Sequence, residues 1–421
     1  MSIPEHIVIV GGSVAGARTA QALRQQGFDG TLSVIEPETG EAYDRPPLSK
    51  QYLSGQWDRE QISLIPGGWA SINAKVHQGW ATALDTKTKR LELSTGETLE
   101  YDTLVIATGL APRRLLADDG KPIGHVIATA SDADGLREAL SFGGHVVAVG
   151  GSYIAAEAAS VAIERGLTIS IINRQPQLLG RSLGPVVGAH VTKTHREHGA
   201  DVRNNTRITS IARDGEAAIL TVIEEDTGLE DTIRADVLVS GIGSTPNTGW
   251  LASSSVRVDD GVVTDARCRA FGAKDVYALG DVARFYDVHS TTGRRVGHWT
   301  NAADQATIVA HNIMNPESPE GYREYPYFWS DQFGKKIQVA GRPDADAHVE
   351  FVTFDGPTPR TVAVFSHGEE DECAAVVTFG WPRGMVAARR LMPLDPTSAE
   401  MLEELEKFAT GHPASAKLAS A

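Results

Sequence analysis

A repeated segment constrains the fold of this chain more than any other feature of its sequence. Residues 6–17, HIVIVGGSVAGA, return at an offset of 139 positions as residues 145–156, HVVAVGGSYIAA. Each copy combines an apolar run, a glycine-rich turn and small residues with helical spacing, and a second apolar run follows at 31–36 and at 168–173. The order strand, glycine turn, helix, strand is the βαβ unit of a parallel sheet. The sequence therefore predicts two Rossmann-like nucleotide-binding domains.

The composition changes near residue 325, where aromatic residues begin to alternate with β-branched ones. This alternation is typical of an antiparallel sheet, and residues 399–410 follow with helical spacing. Three further apolar runs, at 104–109, 237–243 and 276–281, end in small residues and are predicted strands. The predicted fold class is α/β, with two Rossmann-like βαβ domains and a C-terminal α+β domain.

Charge and cysteine content exclude several classes of function. The 421 residues include 39 Lys and Arg against 54 Asp and Glu, a net charge of −15 that opposes binding to nucleic acid. No apolar run approaches the roughly 18 residues that span a bilayer, so no membrane association is expected. The two cysteines, Cys268 and Cys373, are too far apart in sequence for a CxxC or zinc motif. We expect a cytoplasmic protein without a metal site.

The first glycine turn, at 11–16, is a candidate dinucleotide site. A G-x-G-x-x-G turn brings the backbone and the free N–H groups of a helix N-terminus close to a pyrophosphate, although Ser13 replaces the middle glycine here. Glu36 ends the following strand 25 residues after Gly11, where an acid can accept hydrogen bonds from an adenosine ribose. The alternative is a turn that binds no ligand and leaves Glu36 solvated.

Further motifs carry a specific resemblance. In chain order they are RPPLSK (45–50), ATG (107–109), GGSYIAAE (150–157), LGR (179–181), TPN (245–247), ALGDV (278–282), HWTNA (298–302) and FWSDQ (328–332). With the first glycine turn they resemble the FAD-dependent ferredoxin reductases of bacterial oxygenase systems, the putidaredoxin and rubredoxin reductase group. That group has a glutathione-reductase-type fold. The resemblance implies FAD as cofactor and NADPH or NADH as electron donor.

The resemblance also implies a domain division. Residues 1–112 and 244–323 would form a discontinuous FAD-binding domain. Residues 113–243 would form an inserted NAD(P)H-binding domain, and residues 324–421 a C-terminal α+β domain.

Site residues for FAD follow from the same resemblance. The implied contacts are Gly11, Ser13, Ala15, Gly16, Glu36, Arg45, Lys50, Ala81, Thr108, Gly109, Asp281, Val296, Trp299 and Trp329. Asp281 could also, or only, be the N-cap of the turn that follows it, and the two tryptophans could be ordinary core residues. Where the family commonly has Leu-Arg-Thr, with the arginine touching FAD, this chain has Ile-Ala-Thr at 127–129. This departure implies weaker flavin binding or a substitute basic residue.

Lys50 and Glu157 are the implied catalytic pair. In the resembling family the matching residues form an ion pair close to the reactive nitrogen of the flavin. A desolvated lysine there favours negative charge on the reduced ring and so assists hydride acceptance.

The second glycine turn carries the implied nicotinamide-nucleotide site at Gly150, Ser152 and Ala155. Relatives that use NADH usually have an acid at the end of the next strand, whereas this chain has Asn173 followed by Arg174. A neutral side chain beside an arginine tolerates the 2′-phosphate of NADPH, so we expect preference for NADPH or indifference rather than strict use of NADH. The alternative is a solvated Arg174 and a weakened nicotinamide site.

Residues 40–55 contain no cysteine, whereas thiol-dependent relatives of this fold carry a redox cysteine there. A thiol relay is therefore excluded, and electrons must leave the flavin directly. The resemblance implies electron transfer from NAD(P)H through FAD to a ferredoxin-type iron–sulfur protein that serves an oxygenase. Direct reduction of a small acceptor such as a quinone is an alternative. A redox-sensing interaction protein like apoptosis-inducing factor is another.

An acidic ferredoxin would need a local basic patch on a protein of charge −15. We expect it to dock over the flavin edge, between the nucleotide domains and the C-terminal sheet. The candidate basic residues are Arg294, Arg295, Lys335, Lys336, Arg342, Arg383, Arg389 and Arg390. Scattered solubilising charges are the alternative interpretation.

Overall fold

The computed structural model describes residues 3–286, 293–323, 326–355, 358–368 and 371–410. The chain divides into two compact units, the first made of Met1–Leu48, Gln56–Pro112 and Ser244–Tyr325, and the second of Ser49–Gly55, Arg113–Gly243 and Pro326–Ala421. The division into three domains stays a prediction, and its boundary at residue 324 lies outside the described residues.

The secondary structure of the described residues alternates strands with helices. The helices are α1 (Val14–Gln25), α2 (Gln51–Ser54), α3 (Gly68–Ser71), α4 (Ala130–Ser141), α5 (Tyr153–Glu164), α6 (Gly180–Glu197), α7 (Trp299–Met314), α8 (Pro382–Leu391) and α9 (Ser398–Thr410). The strands up to residue 243 are β1 (His6–Val10), β2 (Thr31–Glu36), β3 (Lys75–Gln78), β4 (Ala81–Asp85), β5 (Arg90–Leu93), β6 (Thr98–Glu100), β7 (Thr103–Ile106), β8 (Leu110–Pro112), β9 (Leu115–Leu116), β10 (Pro122–Ile123), β11 (His145–Val149), β12 (Thr168–Ile172), β13 (Asp201–Arg203), β14 (Thr206–Asp214), β15 (Ala217–Glu224), β16 (Glu230–Ala235) and β17 (Val237–Ser240). The later strands are β18 (Ser244–Pro246), β19 (Val262–Thr264), β20 (Val276–Ala278), β21 (Ala283–Phe285), β22 (Arg294–Arg295), β23 (Tyr327–Gln332), β24 (Lys335–Gly341), β25 (His348–Phe354), β26 (Arg360–His367) and β27 (Glu372–Phe379).

A five-stranded parallel sheet, in the order β20-β7-β1-β2-β3, forms the centre of the first unit. Both faces of β1 are buried, as expected for a parallel strand of β-branched residues. Ile7 and Ile9 pack in one core with α1 and α7. Val8 and Val10 pack in another core with the antiparallel β4-β5-β6 meander.

The second unit repeats this plan. Its parallel sheet has the order β13-β12-β11-β17, which matches β3-β2-β1-β7. Val146 and Ala148 of β11 pack in a core with α4, α5 and α6, and Val147 and Val149 pack with the antiparallel β14-β15-β16 meander. The predicted pair of Rossmann-like units is confirmed. The repetition also includes a three-stranded antiparallel meander in each unit, which the repeated sequence motif did not predict.

The C-terminal part of the second unit contains a five-stranded antiparallel sheet in the order β23-β24-β27-β26-β25. One face packs with α8 and α9 through residues such as Val362, Val376 and Met401. Phe365 and Val377 belong to the core that also contains β11 and α5. The predicted antiparallel sheet and final helix are confirmed, and the α/β class with a C-terminal α+β part is correct.

The predicted bounds of three strands were wrong at their ends. The runs 104–109, 237–243 and 276–281 leave the sheet at Ile106, Ser240 and Ala278. Glycines beyond these points have φ angles of 59° at Gly109, 97° at Gly243 and 69° at Gly280. Such angles suit turns rather than strands. Among the described residues no helix is long and apolar enough to cross a membrane.

Candidate active site

The first glycine turn is closed so tightly that side chains are excluded. Gly11 has a φ of 105°, and a Cβ there would overlap the carbonyl oxygen of Ala107 at the end of β7. A Cβ on Gly16 would overlap the carbonyl oxygen of Gly11. Glycine is therefore required at both positions, and the turn holds the N-terminus of α1 against the end of the parallel sheet.

The N-terminus of α1 is left open by its own capping residue. Ser13 is the N-cap, but its hydroxyl makes no hydrogen bond to the helix and accepts one from Nε of Arg45 at 2.9 Å. Within the described part of the chain, the N–H groups of Val14, Ala15 and Gly16 have no acceptor. Free N–H groups and the positive end of the helix dipole suit a pyrophosphate.

Glu36 lies beside this turn, as the sequence predicts. Its Oε2 accepts a hydrogen bond from the Gly12 N–H at 2.7 Å, and its Oε1 accepts one from the Glu38 N–H at 3.0 Å. Burial raises the pKa of Glu36, which the two backbone donors oppose. A Cβ on Gly12 would lie 2.9 Å from Oε2, so the carboxylate sits directly against the turn.

Arg45 joins the RPPLSK loop to the glycine turn. Besides its bond to Ser13, its guanidinium forms an ion pair with Glu38 at 2.7 Å. Arg45, Ser13 and Glu38 also line a pocket. Its full lining is Gly12, Ser13, Glu36, Glu38, Thr39, Gly40, Glu41, Ala42, Tyr43 and Arg45.

Asp281 presents a desolvated carboxylate that no described residue hydrogen-bonds. Burial raises its pKa to about 6, although Arg295 and Arg45 act in the opposite direction. It lies inside the short 3₁₀ turn Gly280–Val282 and is not the N-cap of that turn, so the capping alternative was wrong. A partly buried carboxylate with open acceptor positions suits the hydroxyl groups of a ligand.

The desolvated Asp281 carboxylate predicts an unusual pH dependence. The pKa of this carboxyl is higher in the folded than in the unfolded chain. Its ionisation therefore lowers the free energy of unfolding as the pH rises from about 4 to 6, and the loss remains at every pH above 6. Asp281→Asn should therefore stabilise the flavin-free protein by about 2 kcal/mol at pH 8 and by almost nothing at pH 4. Urea unfolding at both pH values measures this, and a variant no more stable than wild type at pH 8 contradicts it.

The other candidates of the first unit lie after β7, at the start of β4 and near the start of α7. The Thr108 hydroxyl donates to the carbonyl of Asn247 at 2.9 Å, which ties the residue before Gly109 to the TPN motif. Ala81 begins β4, two residues after Gly79, whose N–H donates to the carbonyl of Glu36. Val296 is buried in the core with α1, and Nε1 of Trp299 donates to Asp44 at 2.7 Å. Trp329 lies in the second unit, on β23.

The second glycine turn has the geometry of the first. Gly150 has a φ of 115°, and a Cβ there would overlap the carbonyl oxygen of Gly241. Asn173 takes the place of Glu36, because its Oδ1 would lie 2.6 Å from a Cβ on Gly151. The difference is at the helix, where the Ser152 hydroxyl accepts from the Ala155 N–H of α5 at 3.4 Å. The second helix N-terminus is thus partly capped.

Asn173 and Arg174 are positioned for different tasks. The buried Asn173 amide donates to the carbonyl of Gln175 and to Oδ1 of Asn204, both at 3.0 Å, and accepts from the Gln175 N–H at 3.1 Å. Arg174 is 74% exposed, with its guanidinium 3.9 Å from Glu225. Asn173 therefore shapes the loop, and Arg174 offers an accessible cation.

Lys50 and Glu157, which are 107 positions apart in sequence, meet in the second unit. Nζ of Lys50 lies 3.0 Å from Oε2 of Glu157, and the side chains are only 8% and 3% exposed. Glu157 also accepts hydrogen bonds from the hydroxyl of Ser49 and, at 2.5 Å on Oε1, from that of Ser330. Such a desolvated pair requires these extra donors, because burial alone disfavours both charges.

Sequence reasoning missed the two serines, although each stands inside a motif that it used. Ser49 precedes Lys50 in RPPLSK, and Ser330 is the serine of FWSDQ.

Sequence reasoning also missed Arg114, whose guanidinium lies 3.7 Å from Asp132 in the first turn of α4. Thr129, in the segment that lacks the expected arginine, is the N-cap of α4, so Arg114 places a basic side chain next to that segment.

Two glycine turns of this form, each on a parallel sheet, together with a buried lysine–glutamate pair, define an oxidoreductase with two dinucleotide sites. The sequence model "Pyridine nucleotide-disulphide oxidoreductase" matches residues 5–306, and the model "Reductase C-terminal" matches residues 327–400. The chain belongs to the pyridine nucleotide-disulphide oxidoreductase family.

Named relatives are reductases of electron-transfer systems. Rhodocoxin reductase of Rhodococcus erythropolis is 33% identical, over 93% of this chain and 91% of its own. A ferredoxin–NAD(P)(+) reductase of Sphingomonas sp. is 32% identical, over 97% of this chain and 98% of its own. The crystal structure of a covalent putidaredoxin reductase–putidaredoxin complex superposes with a TM-score of 0.82 at 26% identity, over 96% of this chain and 99% of that one.

The family binds FAD, and the first unit fits this cofactor. The open N-terminus of α1 suits the pyrophosphate, and Glu36 is placed for the adenosine ribose. The Asp281 carboxylate, which has no donor among the described residues, suits ligand hydroxyls. The second turn, with its partly capped helix and the accessible Arg174, fits the NAD(P)H donor that the family uses.

Proposed function

We propose that this protein is a ferredoxin–NAD(P)+ reductase of an oxygenase system, which passes electrons from NAD(P)H through FAD to a small iron–sulfur protein. The observation that carries the proposal is the buried Lys50–Glu157 pair in a chain without a usable redox thiol. Bound FAD would supply hydride acceptance and one-electron release. The relatives named above are a rhodocoxin reductase and a ferredoxin–NAD(P)(+) reductase.

Lys50 contributes a positive charge in a site that excludes water. Its ammonium is balanced by Glu157, which Ser49 and Ser330 hold as a carboxylate. In such a low-dielectric setting the ammonium stabilises negative charge on a bound ring more than it would in water. We assign to Lys50 the electrostatic role in the reaction and to Glu157 the role of holding Lys50 in place.

The cysteines of the chain do not take part in this route. Cys268 and Cys373 are both buried and free. Burial raises the pKa of Cys268 well above its usual range and raises the pKa of Cys373 to about 12. Both thiols stay protonated at neutral pH and are poor nucleophiles. Two reduced cysteines also agree with the cytoplasmic location that we propose.

We further propose that NADPH is used at least as well as NADH, with Arg174 pairing with the 2′-phosphate. Arg174→Ala should lower kcat/KM for NADPH about tenfold, the worth of one charge-assisted contact, and leave kcat/KM for NADH within about twofold. Steady-state rates with both donors measure this. An unchanged value for NADPH, or a large NADH advantage in the wild-type protein, contradicts it.

The C-terminal sheet carries a basic surface suited to an acidic ferredoxin. Nζ of Lys336 lies 5.4 Å from the ring centre of Trp329, and the guanidinium of Arg389 lies 4.1 Å from that of Tyr327. Four of the predicted basic candidates, Lys335, Lys336, Arg389 and Arg390, thus belong to β24 and the end of α8. Cations placed against aromatic rings are typical of docking surfaces.

The proposed function is tested by following where the electrons go. Stopped-flow mixing with NADPH measures flavin reduction, and cytochrome c reduction is then compared with and without an added ferredoxin. Turnover that depends on the ferredoxin supports the proposal. Quinone reduction without ferredoxin supports the small-acceptor alternative, and slow reduction with a long-lived charge-transfer complex supports a redox-sensing protein. Either result contradicts the proposal.

A further inference from the structure

Two arginines near the second glycine turn share one carboxylate. Arg174 lies two residues after β12, Arg207 is the second residue of β14, and Glu225 directly follows β15. Nη2 of Arg174 and Nε of Arg207 each lie 3.9 Å from the same atom, Oε1 of Glu225. Both separations exceed the length of a hydrogen bond. The carboxylate is therefore attracted by both guanidinium groups and firmly bound by neither.

Backbone hydrogen bonds hold the three segments that carry these side chains together. The N–H of Thr206 donates to the carbonyl of Asn173 at 3.0 Å. The N–H of Asn205 donates to the carbonyl of Gln175 at 3.2 Å, and the carbonyl of Asn205 accepts from the N–H of Glu225 at 2.7 Å. The two arginines and the glutamate, which are distant in sequence, are thus fixed beside the loop that follows β12.

This loop lies next to the second glycine turn. Oδ1 of Asn173 would lie 2.6 Å from a Cβ on Gly151, and Glu36 has the matching position at the first turn. The adenosine ribose of a dinucleotide binds at this position of a βαβ unit. Arg174, the next residue, and the two side chains near it therefore stand where we expect the 2′ substituent of that ribose.

A phosphate group can take the place of the Glu225 carboxylate between the two arginines. The two guanidinium nitrogens are no farther apart than twice their common distance of 3.9 Å to Oε1. A phosphate that accepts one charge-assisted hydrogen bond of about 2.8 Å on each of two oxygens spans about 8 Å between its donors. It also carries a charge of about −1.5 to −2 at neutral pH, more than a carboxylate. Both guanidinium groups therefore attract a phosphate more strongly than they attract Glu225.

The other acids beside this arrangement have hydrogen-bond partners of their own. Oδ2 of Asp226 accepts from the side-chain amide of Asn205 at 2.8 Å. Oε2 of Glu224 accepts from the hydroxyl of Thr227 at 2.7 Å. Within the part of the chain that the structure describes, Glu225 is the acid that lies within 4 Å of the two arginines.

We propose that Arg174, Arg207 and Glu225 form an exchangeable anion site, in which the 2′-phosphate of NADPH displaces the Glu225 carboxylate from the two guanidinium groups. Arg207 is a second phosphate-binding residue. Glu225 is a competitor within the chain, which neutralises the arginines when the 2′ position bears only a hydroxyl. This inference rests on the proposed use of NADPH, and it names two further residues that decide between the two electron donors.

The site is tested by calorimetry on the full chain loaded with FAD. The probes are adenosine 2′,5′-bisphosphate and adenosine 5′-monophosphate, which differ only by the 2′-phosphate. Arg207→Ala should weaken binding of the bisphosphate about fivefold, the upper range for one exposed ion pair, and Glu225→Gln should strengthen it about threefold. Binding of the monophosphate should stay unchanged in both variants, which shows that the adenosine site is intact.

The matched control is Arg213→Ala. Arg213 lies on the same strand as Arg207, and their side chains are 42% and 45% exposed. Its guanidinium pairs with Asp119 at 3.2 Å rather than with Glu225. Both probes should therefore bind to this variant as they bind to the wild-type protein.

The outcomes separate this site from the proposed use of NADPH. Weaker binding of the bisphosphate to Arg207→Ala and stronger binding to Glu225→Gln support the site. Wild-type affinity in Arg207→Ala overturns it, as does an unchanged or lower affinity in Glu225→Gln. If Arg174→Ala alone loses affinity, NADPH use stands and only the exchangeable site is wrong. If the wild-type protein binds both probes equally, both are wrong. No electron acceptor is present, so the result does not depend on a ferredoxin.

Discussion

Replacing Lys50 by methionine should slow the reduction of bound FAD by NADPH about 10²- to 10³-fold. This is the range observed when one preorganised electrostatic group is removed from an active site. Methionine keeps much of the volume of lysine but brings no charge, and the hydroxyls of Ser49 and Ser330 still contact Glu157. Stopped-flow absorbance at the flavin band measures the rate directly.

The control for this experiment is Lys193→Met. Lys193 lies on α6, is 76% exposed and pairs only loosely with Glu197 at 3.7 Å, so the rate of flavin reduction should stay unchanged. Glu157→Gln should also slow reduction, because it leaves the Lys50 ammonium buried without its counter-charge. Rates for Lys50→Met within about threefold of wild type would show that the pair has no electrostatic role.

Gly11→Ala and Gly150→Ala should disable the two nucleotide sites separately. A methyl group at either position would overlap a backbone carbonyl and would require a strained positive φ, so each turn must open. We expect Gly11→Ala to purify without FAD. Gly150→Ala should keep its FAD and resist reduction by NADPH while dithionite still reduces it. Absorbance spectra of the purified proteins, before and after each reductant, measure both effects.

Gly27→Ala separates the overlap from the strain. Gly27 follows α1 with a φ of 89°, and no atom lies within 4 Å of a Cβ built there. Its substitution should cost about 1 kcal/mol of stability through backbone strain and leave FAD binding intact. If Gly11→Ala bound FAD as tightly as Gly27→Ala does, the first turn would not be the pyrophosphate site.

Much of the fold was predictable because its signals are local. The repeat at 6–17 and 145–156 determines two βαβ units, since apolar runs, glycine turns and helical spacing each act within about 30 residues. The repeated meanders were not predictable in the same way. The strands of one meander pack against β1 and those of the other pack against β11. The two meanders nevertheless have no sequence motif in common that a short window could detect.

The candidate site shows the same limit. The motif at 45–50 pointed to Lys50, and the one at 150–157 pointed to Glu157. Their contact, by contrast, needs the folded chain. Asn173 is a clearer case, because its position in the sequence suggested a ligand contact, whereas the structure shows its amide occupied by Gln175 and Asn204. Whether a polar side chain is available to a ligand depends on neighbours that sequence spacing does not reveal.

The amino-acid sequence by itself determined the two nucleotide-type units, the lack of a redox thiol near the first turn and the residues that resemble a flavin reductase. Only the tertiary structure decided that Glu157 is held by Lys50, Ser49 and Ser330. The physical reason is the distance along the chain over which each kind of interaction acts. Backbone turns and periodicity are set by adjacent residues, whereas the burial and charge of a carboxylate are set by groups from three distant segments that only folding brings together.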